Sequence, residues 1–379
     1  MPVLDGVKLI ENRIEAIRAF HKNASIIKAE LDLSGGIDSA VMAWLLVRAL
    51  GPENVLLVHT RINTDYKQTD RASRLAQDLK ATFVNVDLTG LFDMLSSQMM
   101  VSLGGPVGTP ACNQLSKRCK EDPTILGSIR STLRAPVGRG FNRMFGGGIR
   151  HGTGNECEDR YLRFYQKGGD GEVDTNPLEM LSKTEIFQLA YTIAETERGT
   201  PLEGIFRELI TVKPSPDLWG KGDTHNDEDE LQSWTGVSFT YGKVDPLTGD
   251  ILEFGTIERV SRLLDQKFEV PNLWSLGLFP EGTPVPFPTT TCGEVLFKDD
   301  LHGLDTVLDC MALIADKTGI FRNTFFPGTS RRQIRDFLLA ARKAERQTRH
   351  KGNGNIPTLG TRSELVEAGI LTDKLTVKG

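Results

Sequence analysis

Residues 26–50 read IIKAELDLSGGIDSAVMAWLLVRAL. The opening stretch, 26–33, has the character of a β-strand, and an apolar helix runs from about Ser39 to Leu50, stopped by Gly51-Pro52. Between them lies Ser34-Gly35-Gly36-Ile37-Asp38-Ser39. Such a junction is a ready anion site. The helix N-terminus offers unpaired N–H groups and the positive end of its dipole, and paired glycines let a phosphate approach the backbone. Ser34 and Ser39 add hydroxyl donors. Asp38 is out of place beside an anion unless it holds a metal that bridges the phosphates. A Ser/Asp helix cap on a glycine turn is the plainer reading. The preceding strand, the following apolar helix and the flanking serines together favour the phosphate reading. No G-x-x-x-x-G-K-[ST] occurs, which excludes an ordinary kinase-type P-loop.

Working outward, Val55–Thr60 (VLLVHT) and Thr82–Leu88 (TFVNVDL) read as strands, and 12–22 and 67–80 as helices. Strand–helix–strand–helix–strand implies right-handed crossovers and a doubly wound parallel α/β sheet. Lys28, Glu30 and Asp32 alternate with apolar residues, unusual for a central parallel strand. The expectation is that its first half projects beyond the covering helices. Residues 100–150 are rich in Gly, Pro and Arg and give only weak loop and helix signals. A helix is expected over 184–197, a polar mobile loop over Thr211–Asp229 and a basic helix over 331–348. The chain divides into a nucleotide-binding domain (1–264), an insertion of unassigned role (265–345) and a C-terminal tail returning to the active site (346–379).

The 379 residues carry 45 Lys+Arg against 50 Asp+Glu, a net charge of −5, which argues against a role coating nucleic acid. Hydrophobic residues at 39% and charged residues at 25% describe a globular protein with a real core and exclude disorder, collagen and coiled coil. The longest apolar run, Ala40–Leu50, is far short of a membrane span and is broken by Arg48. No signal peptide is evident at the N-terminus. The five cysteines are scattered and form no C-x-x-C pair, so neither a disulfide framework nor a structural zinc site is expected. A cytoplasmic location is the default.

The S-G-G-x-D-S loop resembles the pyrophosphate-binding loop of the N-type ATP pyrophosphatases, which cleave ATP between the α and β phosphates. Later segments narrow the resemblance to NAD synthetases. Gly152-Thr153-Gly154-Asn155-x-x-Glu158 resembles G-T-G-N-x-x-E. Lys167 to Asp174, with Pro177 and Lys183, resembles K-[YF]-G-D-G-x-x-D…P…K. Pro214 to Trp219 resembles P-S-A-[DE]-L-W, and Asp227 to Leu231 and Val237 to Tyr241 resemble D-E-D-E-L-G and [IV]-S-Y. The order matches over residues 25–245. His350-Lys351 looks like the family's H-K-R.

The resemblance implies an adenine nucleotide alpha hydrolase-like fold and a role for each matching residue. Ser34, Gly35, Gly36, Asp38 and Ser39 would bind the β,γ-phosphates of ATP, with Asp38 and Glu158 as Mg²⁺ ligands. Thr153 would lie near the ribose or adenine, and Lys183 and Ser215 would contact phosphates. Arg61 and Arg134 would also face the nucleotide. Lys167, Asp170, Asp174, His350 and Lys351 would hold the dinucleotide substrate. The implied reaction is ammonia-dependent amidation of nicotinate adenine dinucleotide to NAD through an adenylated carboxylate, by a homodimer. Only 33 residues precede Ser34, so no amidase domain is expected ahead of it and ammonia would come free or from another protein.

Each site has a bland alternative. Asp170 and Asp174 can simply make turns, Lys183 can be a solvated first-turn lysine, and a neighbour of Glu158 can be the true ligand. His59 and His151 flank the motifs as bases or as structural hydrogen-bonders, and Cys157 reads as packing. The family's Asn and first Arg fall at Ser128 and Thr132, the lysine before Pro-Ser falls at Val212, and one extra residue lies between Glu158 and Lys167. These departures leave open another adenylating amidotransferase, a tRNA-modifying enzyme or a nucleotide sensor without turnover.

Overall fold

The computed structural model describes residues 3–122, 124–162, 165–166, 168–215, 226–229, 232, 236, 238–256, 258, 340 and 356–372. Helix α1 (Gly6–Ala24) starts at Asp5, whose side chain accepts from the Lys8 amide, and ends at Ser25 in the left-handed region. Then follow β1 (Ala29–Asp32), α2 (Ile37–Leu50), β2 (Val55–Arg61), α3 (Tyr66–Leu79) and β3 (Thr82–Asp87). These five elements are the ones the hydrophobic periodicity predicts, with ends moved by a few residues.

Strand β4 (Ile149–His151) completes a parallel sheet of order β3-β2-β1-β4. From β1 the chain winds one way to β2 and β3, and later returns to the other side of β1. Strand order therefore reverses between β1 and β4, and the crevice beyond their carboxyl ends is where open α/β sheets bind ligands. The loops leaving β1 and β4 flank that crevice.

Helix α2 is buried almost all round, from Ile37 to Leu46, because it packs between the sheet and helices α1 and α7 (Lys183–Thr196). Its Trp44 donates Nε1–H to Glu197 at 2.7 Å, which satisfies the one polar group of that ring. Helix α8 (Pro201–Thr211) packs on α7 and α3.

The charged residues of β1 do not project past their cover. Glu30 is wholly buried, and Arg150, its register partner on β4, places Nη1 3.6 Å from Glu30 Oε2 and bonds Asp32 through Nη2. The alternation of β1 is thus a cross-strand charge pattern whose partner lies far along the chain. Helix α6 (Thr124–Phe145) covers it, with Gly138 packed tightly against the charged pair. A Cβ on Gly138 would sit 2.5 Å from Arg150 Nη1 and 2.9 Å from Glu30 Oε1. Burial, then the neighbouring Asp32, pushes the Glu30 carboxyl up to about 8.

The stretch with weak sequence signals is helical: α4 (Thr89–Gly104), α5 (Pro110–Glu121) and α6. Helix α5 has a well-formed start, with Thr109 accepting from the Cys112 amide and Pro110 at the first position. Strands β5 (Lys243–Val244) and β6 (Ile251–Glu253) form an antiparallel pair. Finally, α9 (Arg362–Glu367) returns to the start of α7. Arg362 bonds both carboxylate oxygens of Glu185 at 2.7 Å, and Leu371 bridges to Val3. The expected insertion (265–345) and basic helix (331–348) lie outside the described residues apart from Ala340. No helix among the described residues is long and apolar enough to cross a membrane.

Candidate active site

The loop after β1 is a compact hydrogen-bonded turn. Gly35 has φ +82°, and a Cβ there would lie 2.3 Å from the Gln68 carbonyl oxygen, so only glycine fits. The Gly36 amide donates to Ser34 Oγ at 3.2 Å, Ser39 Oγ donates to the Gly36 carbonyl at 3.1 Å, and the two hydroxyls lie 2.9 Å apart. Gly36 caps α2 without a side-chain acceptor, which leaves the first-turn amides for a ligand.

Across the crevice, β4 runs into Gly152-Thr153-Gly154-Asn155 and then a π-helical turn, Glu156–Leu162. Such turns recur at functional sites. Asn155 Oδ1 accepts from the amides of Cys157 and Glu158 at 3.1 and 3.2 Å, while its Nδ2 reaches Asp38 Oδ1 at 3.4 Å. Asn155 therefore shapes the turn that carries Glu158 and also touches the opposite loop.

Lys183 joins the two sides. Its Nζ is 2.7 Å from Asp38 Oδ2 and 3.0 Å from Glu158 Oε1. It opens α7 behind Ser182, which forms a reciprocal capping box with Glu185. The residue is 1% exposed, so it is not a solvated first-turn lysine. Both burial and the positive end of its own helix oppose an ammonium there. Burial pulls its pKa down, but Asp38 and Glu158, with Asp227 beyond, outweigh it and raise the pKa above the ordinary lysine value. Burial, together with the Asp38 charge, raises Glu158, and Lys183 opposes that rise. Tyr241 closes the site from below, its ring 5.2 Å from Lys183 Nζ and its hydroxyl donating to Glu158 Oε1 at 3.4 Å.

Asp38, Ser34, Ser39, Glu158 and Lys183 thus share one site, with Thr153 in the turn that leads to it. Other predicted residues point to local partners. Arg61 bonds Asn85 Oδ1 at 2.9 Å and lies 3.4 Å from Asp87. Asp170 Oδ1 accepts from Ser131 Oγ and the Gln166 amide, both at 2.8 Å, and Asp174 Oδ2 accepts from the Arg150 amide at 2.8 Å. Both aspartates therefore tie their glycine-rich loop to α6 and β4. Arg134 sits on α6 near Asp32, and Ser215 is exposed beyond α8. Lys167, His350 and Lys351 lie outside the described residues.

Both flanking histidines are structural. His59 bonds the Leu33 carbonyl at 2.7 Å. His151 stacks on His21 with Nε2 atoms 3.0 Å apart, and burial holds its pKa down to about 3. Cys157 is fully buried in the core. Asn155 and Tyr241 had no assigned role in the sequence, although both stand in the quoted motifs.

The sequence profile of the NAD synthase family matches residues 9–258. The NH(3)-dependent NAD(+) synthetase of Methanococcoides burtonii is 31% identical over 301 residues, covering 79% of this chain and 98% of its own length. That of Methanosarcina acetivorans is 33% identical over 259 residues, covering 68% of this chain and 87% of its own. Among solved structures, an NMN synthetase from Francisella tularensis is similar over 60% of this chain and 82% of its own, at 22% identity and a TM-score of 0.49.

Proposed function

We propose that this chain, which belongs to the NAD synthase family, amidates nicotinate adenine dinucleotide to NAD with ammonia, consuming ATP and releasing AMP and pyrophosphate. The observation that carries the reading is Lys183 Nζ held 2.7 Å from Asp38 and 3.0 Å from Glu158, beside the loop Ser34–Ser39.

The substrate carboxylate attacks the α-phosphorus of ATP and pyrophosphate leaves. Ammonia then attacks the carbonyl carbon of the acyl adenylate, AMP departs, and the amide forms. Two anions must meet, so the site has to neutralise charge and align groups; a covalent enzyme nucleophile is not needed. Ser34, Ser39 and the amides of Gly35 and Gly36 grip the β,γ-phosphates. Lys183, kept charged by its two acids, pairs with the phosphates, and Ser215 adds a contact to them. Thr153, Arg61 and Arg134 line the nucleotide, while Asp170 and Asp174, with Lys167, His350 and Lys351, serve the dinucleotide. The second active site belongs to the partner of a homodimer.

Asp38 and Glu158 fit Mg²⁺. Both are carboxylates, their oxygens already converge on one cation, and their mutual repulsion, which helps raise the half-buried Glu158, favours one. When bound, the ion supplies charge neutralisation on the phosphates.

The test is pyrophosphate and AMP release by the purified protein, with ATP, nicotinate adenine dinucleotide and ammonium. Release that needs all three, with NAD as product, supports the reading. Nucleotide binding without turnover, or turnover that ignores the dinucleotide, refutes it.

A further inference from the structure

Helix α3 holds the phosphate loop from behind, at the Gly35 carbonyl directly and at the Leu33 carbonyl through His59 of β2. Arg71 donates Nε–H to the Gly35 carbonyl at 3.0 Å. His59 Nδ1 lies 2.7 Å from the Leu33 carbonyl, and its Nε2 lies 3.0 Å from Thr69 Oγ1. A carbonyl only accepts, so Nδ1 carries a proton; in the neutral ring Nε2 then accepts from the Thr69 hydroxyl. Gln68 of the same helix presses its own carbonyl oxygen against Gly35. Arg71 is 8% exposed, and its Nη1 lies 3.9 Å from Glu208 Oε1 on α8, so its guanidinium is braced from a third element.

These ties have a directional consequence. In a planar trans peptide the C=O and the following N–H point opposite ways. Holding the Gly35 carbonyl toward Arg71 of α3, and the Leu33 carbonyl toward His59 of β2, turns the Gly36 and Ser34 amides the opposite way. The Gly36 amide is on the exposed side of the loop, donating to Ser34 Oγ at 3.2 Å. An anion site needs this sense, because a loop that showed its carbonyls to a phosphate would repel it. The guanidinium also adds positive charge behind the loop.

We propose that Arg71, with His59 and Thr69 as a second tie, is a positioning residue that fixes the amide-forward state of the diphosphate-gripping loop. The proposal rests on the reading of Ser34–Ser39 as that loop. Pyrophosphate binding, measured by titration calorimetry on the whole protein, separates the two. Wild-type protein that does not bind pyrophosphate refutes the nucleotide reading itself.

Where wild type binds, Arg71→Met should weaken pyrophosphate and raise KM for ATP about tenfold, the scale of one charge-assisted hydrogen bond, while KM for the dinucleotide stays within about twofold. Arg71→Lys, which keeps a donor, should recover part of the loss, as should guanidinium added at millimolar level to Arg71→Ala. Thr69→Val keeps the shape of a half-buried side chain and should weaken pyrophosphate about threefold through the freed His59 ring. Pyrophosphate affinities within twofold of wild type in Arg71→Met and Thr69→Val, or losses spread equally over ATP and dinucleotide, overturn the positioning role. If Arg71→Met folds poorly, Thr69→Val and Arg71→Ala with and without guanidinium decide by the same criterion.

Discussion

Lys183 Nζ lies 2.7 Å from Asp38 Oδ2 although 145 residues separate them. The pair closes the crevice between β1 and β4, and it decides what each partner's removal does. Lys183→Met leaves Asp38 and Glu158 facing each other in a buried site without their cation. The expected outcome is a loss of about 3 kcal/mol or more in chemical denaturation and no detectable pyrophosphate release. Asp38→Asn keeps the shape and leaves Lys183 paired with Glu158, so the fold should survive while pyrophosphate release is abolished. Normal turnover by a folded Asp38→Asn protein would remove Asp38 from the chemistry.

The two loop glycines should respond unequally. Gly35→Ala puts a methyl 2.3 Å from the Gln68 carbonyl at φ +82°, whereas a Cβ on Gly36 meets only Ser34 Oγ, at 3.3 Å. Gly35→Ala should lose about 1–3 kcal/mol of stability and nearly all ATP affinity. Gly36→Ala should fold like wild type with a smaller rise in KM for ATP. Equal effects of the two on nucleotide binding would contradict the geometry.

Tyr241 divides into ring and hydroxyl. The hydroxyl reaches Glu158 at 3.4 Å, a weak bond, while the ring packs on Lys183. Tyr241→Phe should therefore cost less than about 1 kcal/mol of transition-state stabilisation. Tyr241→Ala should cost several times that in kcat/KM, because water then reaches Lys183. Steady-state kinetics of both variants checks the order.

The stacked histidines set an acid limit on stability. Burial, and then the neighbouring His21, hold His151 down to about 3, and burial lowers His21 as well. Both rings are neutral in the folded protein and take protons on unfolding below the ordinary value of 6.5. Their contribution is intact above that value and is lost as pH falls from it toward about 3. His151→Asn should flatten this acid slope. Urea midpoints at about pH 7 and pH 5 measure it, and an unchanged slope would count against the pair.

Strands β1 to β3 and their helices were legible because each is a local pattern with clear stops. The phosphate loop was legible for the same reason, being one uninterrupted stretch. The rest depends on partners far along the chain. Glu30 and Asp32 look misplaced until Arg150 arrives beside them, 118 residues beyond Asp32. Lys183 reads as an ordinary surface lysine until folding puts two acids on it. Helix α6 is rich in Gly and Arg and has Pro136 inside it, and the apolar faces of α4 to α6 give no clear period. Tyr241 gains its place only when the segment before β5 folds under α7. Asp170 and Asp174, which the resemblance assigns to the substrate, also hold their own loop, a contact the sequence pattern does not reveal.

The returning segment has a consequence for how the protein is born. The Pro357 carbonyl accepts from the Asn176 amide at 2.9 Å and from Thr175 Oγ1 at 2.5 Å, and Arg362 neutralises Glu185 behind the cap of α7. A nascent polypeptide whose synthesis has not reached Ile356 lacks these ties, so Thr175, Asn176 and the first turn of α7 stay unlatched. Activity should therefore emerge only after the last of these contacts has left the ribosome.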